Sequence, residues 1–304
     1  MAQDPTLMFC VGATKAGTSW LYRYLHDHPE CHLRSIKELH FFDTVDFDDY
    51  ERQFDVFARL RADLVERLAS VEAKAASEDK PYTWQLKNLR RQIRDIDEMV
   101  AALEDPQLGE LLYETYLFRG IGDKKLIGDL TPAYALLSKE RLAKMAEMAE
   151  NVRFVFLMRD PIDRLWSHVR MQANRNLQPG EEVTTKSKNI VGRMATHGDE
   201  PHILERGDYA GTIQRLRAAV PEDRLLLEFT EELFSEAGVR RLCAFLGISY
   251  VPAKVEERWH VGPRLEMNDK IRGMAADMLA PQYAFAEQNF GQLPERWQEN
   301  MARV

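Results

Sequence analysis

The feature that most constrains the fold is an alternation of short apolar runs with longer segments of helical periodicity. Five apolar runs predict buried β-strands, at 7–11, 31–33, 125–129, 152–158 and 224–229. Helical patterns separate or follow them, at 18–27, 138–150, 161–176, 209–219, 231–245 and 267–289. Alternation of this kind favours a mostly parallel sheet with helices on both faces. We therefore predict an α/β fold with about five strands.

One charged segment, 57–104, lacks a strand signal and predicts a helical hairpin inserted into the α/β domain. Its second half alternates apolar residues at spacings of three and four, typical of a helix-packing seam: Leu86, Leu89, Ile93, Ile96, Val100 and Leu103. Residues 77–81 (SEDKP) predict the turn between the two helices. We expect this seam to pack within the chain, with a homodimer interface or a substrate lid as alternatives. The chain, 1–304, is otherwise predicted to be one domain, with a long mobile loop over 176–201.

Composition excludes some classes of function. The 41 Lys and Arg residues against 49 Asp and Glu give a net charge of −8, which argues against binding to nucleic acid or an anionic membrane over a broad surface. The three cysteines lack Cys-x-x-Cys spacing and predict neither disulfides nor a zinc site. No apolar run approaches the roughly 20 residues of a membrane span, and no secretory leader is recognised. We predict a cytoplasmic protein that needs no metal.

A glycine-containing loop, GATKAGTS, follows the first predicted strand. Gly12 and Gly17 have the spacing of a phosphate-binding P-loop, but Thr18 occupies the position where that motif has lysine. The lysine of this chain, Lys15, lies inside the loop instead. A helix that begins at Thr18 would direct free N–H groups and the positive end of its dipole at the loop. The pattern predicts a phosphate site, with an ordinary strand-to-helix turn as the alternative.

The segment KELHFFD, after the second predicted strand, holds candidates for acid–base chemistry. Glu38 and His40 lie beside Phe41 and Phe42, which can exclude water. A carboxylate and an imidazole in a half-dry pocket are typical of a general base, because burial and neighbouring charges move their pKa values. Asp43 completes a group of three titratable side chains. Taken alone, such residues are more often ordinary polar residues with satisfied hydrogen bonds.

Two further motifs also follow predicted strands. In GDLTPAY, Asp129 and Thr131 come at the end of the strand 125–129. In FLMRDPIDRLWSH, Arg159 follows the strand 152–158, and Ser167 lies two turns along the next helix. Since the carboxyl ends of parallel strands meet at one edge of a sheet, all four motifs are expected to share that edge. The two separate anion anchors imply a ligand with phosphate at two places.

Together these four motifs resemble the sulfotransferases that use 3′-phosphoadenosine 5′-phosphosulfate (PAPS), above all the heparan-sulfate O- and N-sulfotransferases and their bacterial relatives. The similarity covers residues 7–56 and 110–300 and omits the hairpin. It implies a P-loop-type α/β sheet and transfer of a sulfuryl group from PAPS to an acceptor. The acceptor would be a hydroxyl or amine of a carbohydrate or small molecule, attacked in line and without a metal.

The resemblance also implies residue roles. The 5′-phosphate bearing the sulfonate would be bound by Lys15, Ala16, Gly17, Thr18, Ser19 and Trp20. The 3′-phosphate would be bound by Arg159 and Ser167, with Arg264 of HVGPRLEMN in a late loop above it. Glu38 matches the general base, His40 is the second choice for that role, and Asp43 lines the acceptor. Leu130 departs from the pattern, because the heparan enzymes have a lysine there.

Two other functions remain open at this point. A small-molecule kinase would share the architecture and could use Asp129 for magnesium, but the lysine expected before Thr18 is absent. A nucleotide-binding protein without catalysis would keep the phosphate anchors, yet would not need Glu38 and His40 beside them. A sugar, a lipid, a phenol or a small metabolite would each suit the acceptor site.

Overall fold

A central parallel sheet organises the chain. The computed structural model describes residues 4–78, 81–253 and 267–302. The strands are β1 (Thr6–Gly12), β2 (Cys31–Leu33), β3 (Leu126–Asp129), β4 (Val152–Met158) and β5 (Leu225–Phe229). Their order is β2-β3-β1-β4-β5 and every pair is parallel. The predicted α/β fold is confirmed, and each predicted strand lies within one residue of the observed one.

The strands of this sheet are apolar because helices cover both of its faces. Residues 7–11 of β1 are all 0% exposed, and β4 is nearly as deeply buried. A strand buried on both sides gains free energy from every apolar side chain, so it appears as a continuous apolar run without alternation. β5, at the edge, is half-buried over its first three residues. The core therefore runs through β1 and β4, next to the loop that follows β1.

Fourteen α-helices flank the sheet within the described ranges. They are α1 (Thr18–Asp27), α2 (Phe41–Asp46), α3 (Tyr50–Glu78), α4 (Thr83–Glu104), α5 (Gly109–Phe118), α6 (Lys139–Ala146), α7 (Pro161–Arg175), α8 (Val183–His197), α9 (Pro201–Glu205), α10 (Tyr209–Ala219), α11 (Thr230–Leu233), α12 (Glu236–Leu246), α13 (Asp269–Phe290) and α14 (Glu295–Met301). Short 3-10 helices occupy Pro132–Leu136 and Glu222–Arg224. None of these described helices is long and apolar enough to cross a bilayer.

Two sequence predictions about helices are wrong. The polar segment 176–201, predicted as a loop, contains α8, whose buried residues Ile190, Val191 and Met194 pack against α7 and α13. Its apolar stripe is narrow and surrounded by charged residues, so the helical period was obscured. The single helix predicted at 231–245 is divided, because Ser235 accepts a hydrogen bond from the Gly238 amide (3.0 Å) and begins a new helix.

The predicted hairpin is formed by α3 and α4, although α3 begins at Tyr50 rather than near residue 57. Phe57, Leu64 and Ile96 are at most 3% exposed, so the apolar seam packs within the chain. The hairpin is also joined to the sheet, because Arg34 after β2 donates a 2.6 Å hydrogen bond to Asp95. A homodimer through this hairpin stays a prediction.

Candidate functional site

The loop after β1 has a backbone that requires glycine at both ends. Gly12 and Gly17 have φ angles of 148° and 93°. A Cβ atom on Gly12 would lie 2.9 Å from the Phe156 ring, and one on Gly17 would lie 3.0 Å from Cγ2 of Thr230. Thr230, after β5, also donates a 2.6 Å hydrogen bond to the Ala16 carbonyl oxygen. The loop is therefore held in place from the neighbouring part of the sheet.

Several backbone amides of this loop have no acceptor within the described part of the chain. α1 begins at Thr18 without a side-chain cap, because its N-cap is Gly17. The amides of Lys15, Gly17, Thr18 and Ser19 make no hydrogen bond to the residues that the structure describes. Free amides at a helix N-terminus, together with the helix dipole, form an anion site. Ser19 is half-buried beside them and adds a hydroxyl group.

Cationic side chains gather around the same loop. An Nη atom of Arg159, which follows β4, lies 3.5 Å from the Lys15 carbonyl oxygen. Burial lowers the pKa of the Lys15 ammonium, and the positive charges of Arg159, Lys37 and Arg175 lower it further. Among the described residues, neither Lys15 nor Arg159 has a carboxylate within salt-bridge distance. An excess of positive charge of this kind favours binding of an anion.

The helix that carries Ser167 is oriented by a buried network. Asp160 caps α7 by accepting a hydrogen bond from the Asp163 amide (2.9 Å), and it also accepts bonds from Tyr283 (2.6 Å) and Asn300 (2.7 Å). Burial raises the pKa of Asp160 to about 7. These contacts connect α13 and α14 to the start of α7, and Ser167 is half-buried two turns further along.

Arg159 itself is held by its backbone. The Tyr209 hydroxyl donates a 2.6 Å hydrogen bond to the Arg159 carbonyl oxygen and accepts one of 3.2 Å from the Arg159 amide. Tyr209 is 1% exposed at the start of α10. The sequence does not single out Tyr209, because it lies 50 positions from Arg159 in the chain.

Trp20 contributes mainly to packing. Its ring is 7% exposed, stacks on Tyr24 with 5.6 Å between centroids, and lies 4.8 Å from the Phe234 ring. Its amide donates to the Gly17 carbonyl oxygen (3.0 Å) within the first turn of α1. Trp20 thus supports the loop by packing against Tyr24 and Phe234. The backbone amides of the loop, by contrast, remain available to a ligand.

The KELHFFD segment brings three titratable side chains together. Nδ1 of His40 lies 2.7 Å from Oδ2 of Asp43, and Nε2 of His40 lies 3.6 Å from Oε2 of Glu38. The other Glu38 oxygen pairs with the ammonium of Lys37. Burial alone would lower the pKa of His40, but Asp43 and Glu38 outweigh it and raise that pKa to about 9. His40 is therefore an imidazolium at neutral pH.

Glu38 is ionised because two positively charged side chains lie beside it. Burial alone would raise its pKa, but hydrogen bonding to His40 and the charge of Lys37 bring the pKa of Glu38 down to about 2. The side chain is 39% exposed, so an acceptor can reach it. Of the two candidates for a general base, Glu38 alone is unprotonated at neutral pH. Lys37, which precedes Glu38 in the same motif, helps to keep this carboxylate ionised.

A buried carboxyl group positions this segment from beneath. Asp129, at the end of β3, accepts hydrogen bonds from Tyr113 (2.8 Å), Tyr134 (2.7 Å) and Thr131 (2.6 Å). The Thr131 hydroxyl accepts from the Leu39 amide (2.9 Å), and the Tyr134 hydroxyl accepts from the Phe41 amide (3.1 Å). Burial raises the pKa of Asp129 to about 6. The two hydroxyls thus hold the backbone on either side of His40.

The structure places most of the predicted site residues at the carboxyl edge of the sheet. Lys15, Glu38 and Arg159 follow β1, β2 and β4, and their charges influence one another. Arg264, predicted in a late loop over the 3′-phosphate, lies outside the described residues. Sequence reasoning quoted Tyr134 within GDLTPAY without giving it a role, and it missed Tyr113, because no local pattern connects that residue to Asp129.

Solved structures similar to this chain include a sulfotransferase and two sulfotransferase domains, and the first of them supports the architecture described above. A sulfotransferase from Alicyclobacillus acidocaldarius has a similar fold, with a TM-score of 0.58 at 21% identity over 98% of this chain and 100% of that chain. The sulfotransferase domain of the curacin biosynthetic pathway matches with a TM-score of 0.44 at 16% identity over 99% of this chain and 96% of that domain. The sulfotransferase domain of the Synechococcus PCC 7002 olefin synthase matches with a TM-score of 0.47 at 14% identity over 96% of each chain.

No curated protein is significantly similar to this chain in sequence. The model of the sulfotransferase family, however, matches residues 8–252, a range that includes the Lys15 loop, Glu38, His40, Arg159 and Ser167. Since that match covers most of the chain, the protein belongs to the sulfotransferase family.

Proposed function

We propose that this protein transfers the sulfuryl group of PAPS to a hydroxyl or amine of a carbohydrate or small-molecule acceptor. One observation carries the proposal: the free amides of the loop, with Lys15 and Arg159 beside them, occur together with an ionised Glu38 that is 39% exposed and whose charge acts on Lys15. The loop amides and cations suit an anionic donor, and the Glu38 carboxylate suits an acceptor that loses a proton. Membership of the sulfotransferase family supports sulfuryl transfer as the reaction.

The donor residues fit a ligand with phosphate at two positions. Lys15 and the amides of Gly17, Thr18 and Ser19 would hold the 5′-phosphate and its sulfonate. Arg159, whose guanidinium fork suits a phosphate, would hold the 3′-phosphate together with the Ser167 hydroxyl. The fit rests on donors that the described residues leave without acceptors and on cations that they leave without carboxylates.

Bound PAPS would supply an activated sulfuryl group, and the residues of the chain would supply positioning and charge. Sulfuryl transfer resembles phosphoryl transfer, in which catalysis is mainly alignment and electrostatic stabilisation. The Lys15 ammonium and the start of α1 would stabilise the negative charge that develops on the departing 5′-phosphate. Burial keeps this cation in a less polar medium, where its interaction with charge is stronger.

Glu38 would receive the proton of the acceptor. A carboxylate with a pKa near 2 is a weak base, so it takes the proton favourably only after bond formation has made the acceptor oxygen strongly acidic. His40 would keep Glu38 ionised and oriented, because its imidazolium lies between Glu38 and Asp43. Being already protonated, His40 would not serve as the base at neutral pH in this proposal.

The kinase alternative would need Asp129 as a magnesium ligand, and the surroundings of Asp129 do not favour that role. Both carboxyl oxygens of Asp129 accept hydrogen bonds from hydroxyl groups, and the side chain is buried. These bonds give Asp129 a role in holding the segment around His40 in place, which does not favour the kinase alternative.

Turnover with ³⁵S-labelled PAPS tests the proposal. The wild-type protein is incubated with the labelled donor and a panel of sugars, phenols, amines and lipids, and products are identified by the mass gain of one sulfonate. We expect transfer to at least one acceptor, together with release of adenosine 3′,5′-bisphosphate. Binding of PAPS without transfer to any acceptor class would instead favour a nucleotide-binding protein. Transfer of phosphate from ATP with magnesium would favour a kinase.

A further inference from the structure

Arg164, in the middle of α7, is a buried cation without an acidic partner. Its side chain is 0% exposed. One Nη atom donates a 3.0 Å hydrogen bond to the Ile203 carbonyl oxygen, the other lies 3.5 Å from the Thr14 carbonyl oxygen, and Nε has no partner. Within the described residues no carboxylate pairs with this guanidinium, and the positive charge of Arg159 acts on it unfavourably.

Such an arrangement gives the protein little net stabilisation from the charge alone, because the cost of burying it offsets its hydrogen bonds. Removing a charged group from water is strongly unfavourable unless an opposite charge compensates for it. Here burial lowers the pKa of the Arg164 guanidinium, and the positive charge of Arg159 lowers it further. Two carbonyl oxygens satisfy hydrogen bonds but do not neutralise the charge. A negative charge that arrives with a ligand would complete the site.

The contacts of Arg164 define where that ligand charge would act. Thr14 belongs to the loop that contains Lys15, so Arg164 supports the candidate donor site from within the protein. On its other side the guanidinium packs against Gly207, where a Cβ atom would lie 2.0 Å from an Nη atom. Between Ile203 and Gly207 lies Arg206, whose pKa is lowered by burial, an effect that the charges of Asp43 and Glu38 partly oppose.

We propose that Arg164 is a positioning residue for the donor, which fixes the loop at Thr14 and supplies a buried positive charge to the anion bound there. The inference rests on the proposed function, because it takes the loop to be the donor site. A residue that served only for packing would affect stability, whereas a positioning residue also affects donor affinity. The charge of Arg164 would contribute to donor affinity while contributing little to the stability of the free protein.

The test compares two substitutions at this position. Arg164→Met keeps most of the volume and removes the charge, whereas Arg164→Lys keeps the charge with fewer hydrogen bonds. Adenosine 3′,5′-bisphosphate is the probe, measured by calorimetry, and thermal unfolding of the ligand-free protein is measured in parallel. We expect R164M to bind the probe at least about tenfold more weakly with an almost unchanged unfolding temperature, and R164K to recover most of the affinity.

Arg224→Met serves as the matched control. Arg224 is half-buried rather than fully buried, and like Arg164 it has an Nη atom 3.5 Å from a backbone carbonyl oxygen, that of Ala146, but it precedes β5 and so lies at the opposite edge of the sheet. We expect R224M to bind the probe as the wild type does. Should R164M fail to fold, R164Q decides the same question, because it keeps a hydrogen-bond donor without the charge.

Three outcomes decide the inference. Weaker binding in R164M or R164Q, with recovery in R164K and unchanged stability, supports it. Wild-type affinity in R164M overturns it, as does an equal loss of stability and affinity in both R164M and R164K, which indicates a purely structural role. If the wild-type protein itself does not bind the probe, the proposed function fails, and that result is distinct from a failure of Arg164 alone.

Discussion

The imidazole of His40 bridges Asp43 and Glu38, with 2.7 Å between Nδ1 and Oδ2 of Asp43 and 3.6 Å between Nε2 and Oε2 of Glu38. Two carboxylates stabilise one cation, so the pKa of His40 rises to about 9 and that of Glu38 falls to about 2. The proposed base and its neighbour are thus ionised together at neutral pH. The charge of His40 therefore depends on both carboxylates.

Asp43→Asn should therefore narrow the pH range of activity. Without the Asp43 charge the pKa of His40 falls toward its ordinary value, so the imidazolium is lost at lower pH and Glu38 loses its partner. We expect the alkaline limb of the kcat/KM profile to move to lower pH. An alkaline limb that stays in place would show that the charge of His40 does not matter for transfer.

The same cluster predicts a pH dependence of stability. The folded-state pKa of His40, about 9, lies above its ordinary value of 6.5, so the protonated form stabilises the fold. This contribution is complete below pH 6.5 and is lost as the pH rises through 9. We expect the difference in unfolding temperature between wild type and His40→Gln to shrink over that interval. A constant difference would contradict the raised pKa.

Glu38→Gln should abolish most turnover while preserving donor binding. Removal of a general base typically costs about 10² to 10⁴ in rate. The Glu38 carboxylate contacts Lys37 and His40 but not the loop amides, so affinity for adenosine 3′,5′-bisphosphate should remain close to the wild-type value. Glu110→Gln, which removes a carboxylate paired with Arg141 on the surface, is the matched control. Wild-type turnover in E38Q would remove Glu38 from the mechanism.

Lys15→Ala should reduce turnover more than it reduces folding stability. Loss of one charged or hydrogen-bonding group that stabilises developing charge costs about 10² to 10³ in rate. Lys15 has no carboxylate partner in the described structure, so its removal breaks no ion pair. Steady-state kinetics with PAPS and thermal unfolding of the same sample measure both effects. A fall in stability with unchanged turnover would assign Lys15 to the scaffold.

Ile96→Ala tests whether the hairpin of α3 and α4 acts by packing. Ile96 is 1% exposed, and truncation of a buried isoleucine to alanine costs about 2 to 5 kcal/mol of unfolding free energy. We expect this loss in urea denaturation, with kcat unchanged in the folded protein. A large fall in kcat at unchanged stability would instead favour the lid function.

The sequence by itself determined the strands, the position of the loop and most of the helices around the sheet. Buried strands require continuous apolar runs, and the turn at Gly12 and Gly17 requires residues without a Cβ atom, so both leave a local signal. Those signals also located Lys15, Glu38 and Arg159 after strands that are adjacent or nearly so in the sheet. The helix α8 escaped detection, because its buried stripe is brief and its neighbours are polar.

Only the tertiary structure decided the chemical state of the site. Asp129 at the end of β3 is buried and accepts hydrogen bonds from Tyr113 of α5 and from Tyr134. Thr131 in turn accepts a hydrogen bond from the Leu39 amide, in the segment after β2. The Arg164 guanidinium likewise contacts the carbonyl oxygens of Ile203 and Thr14, which lie 39 and 150 positions away in the chain. Ionisation and hydrogen bonding depend on distance in space, and no local pattern of residues encodes those distances.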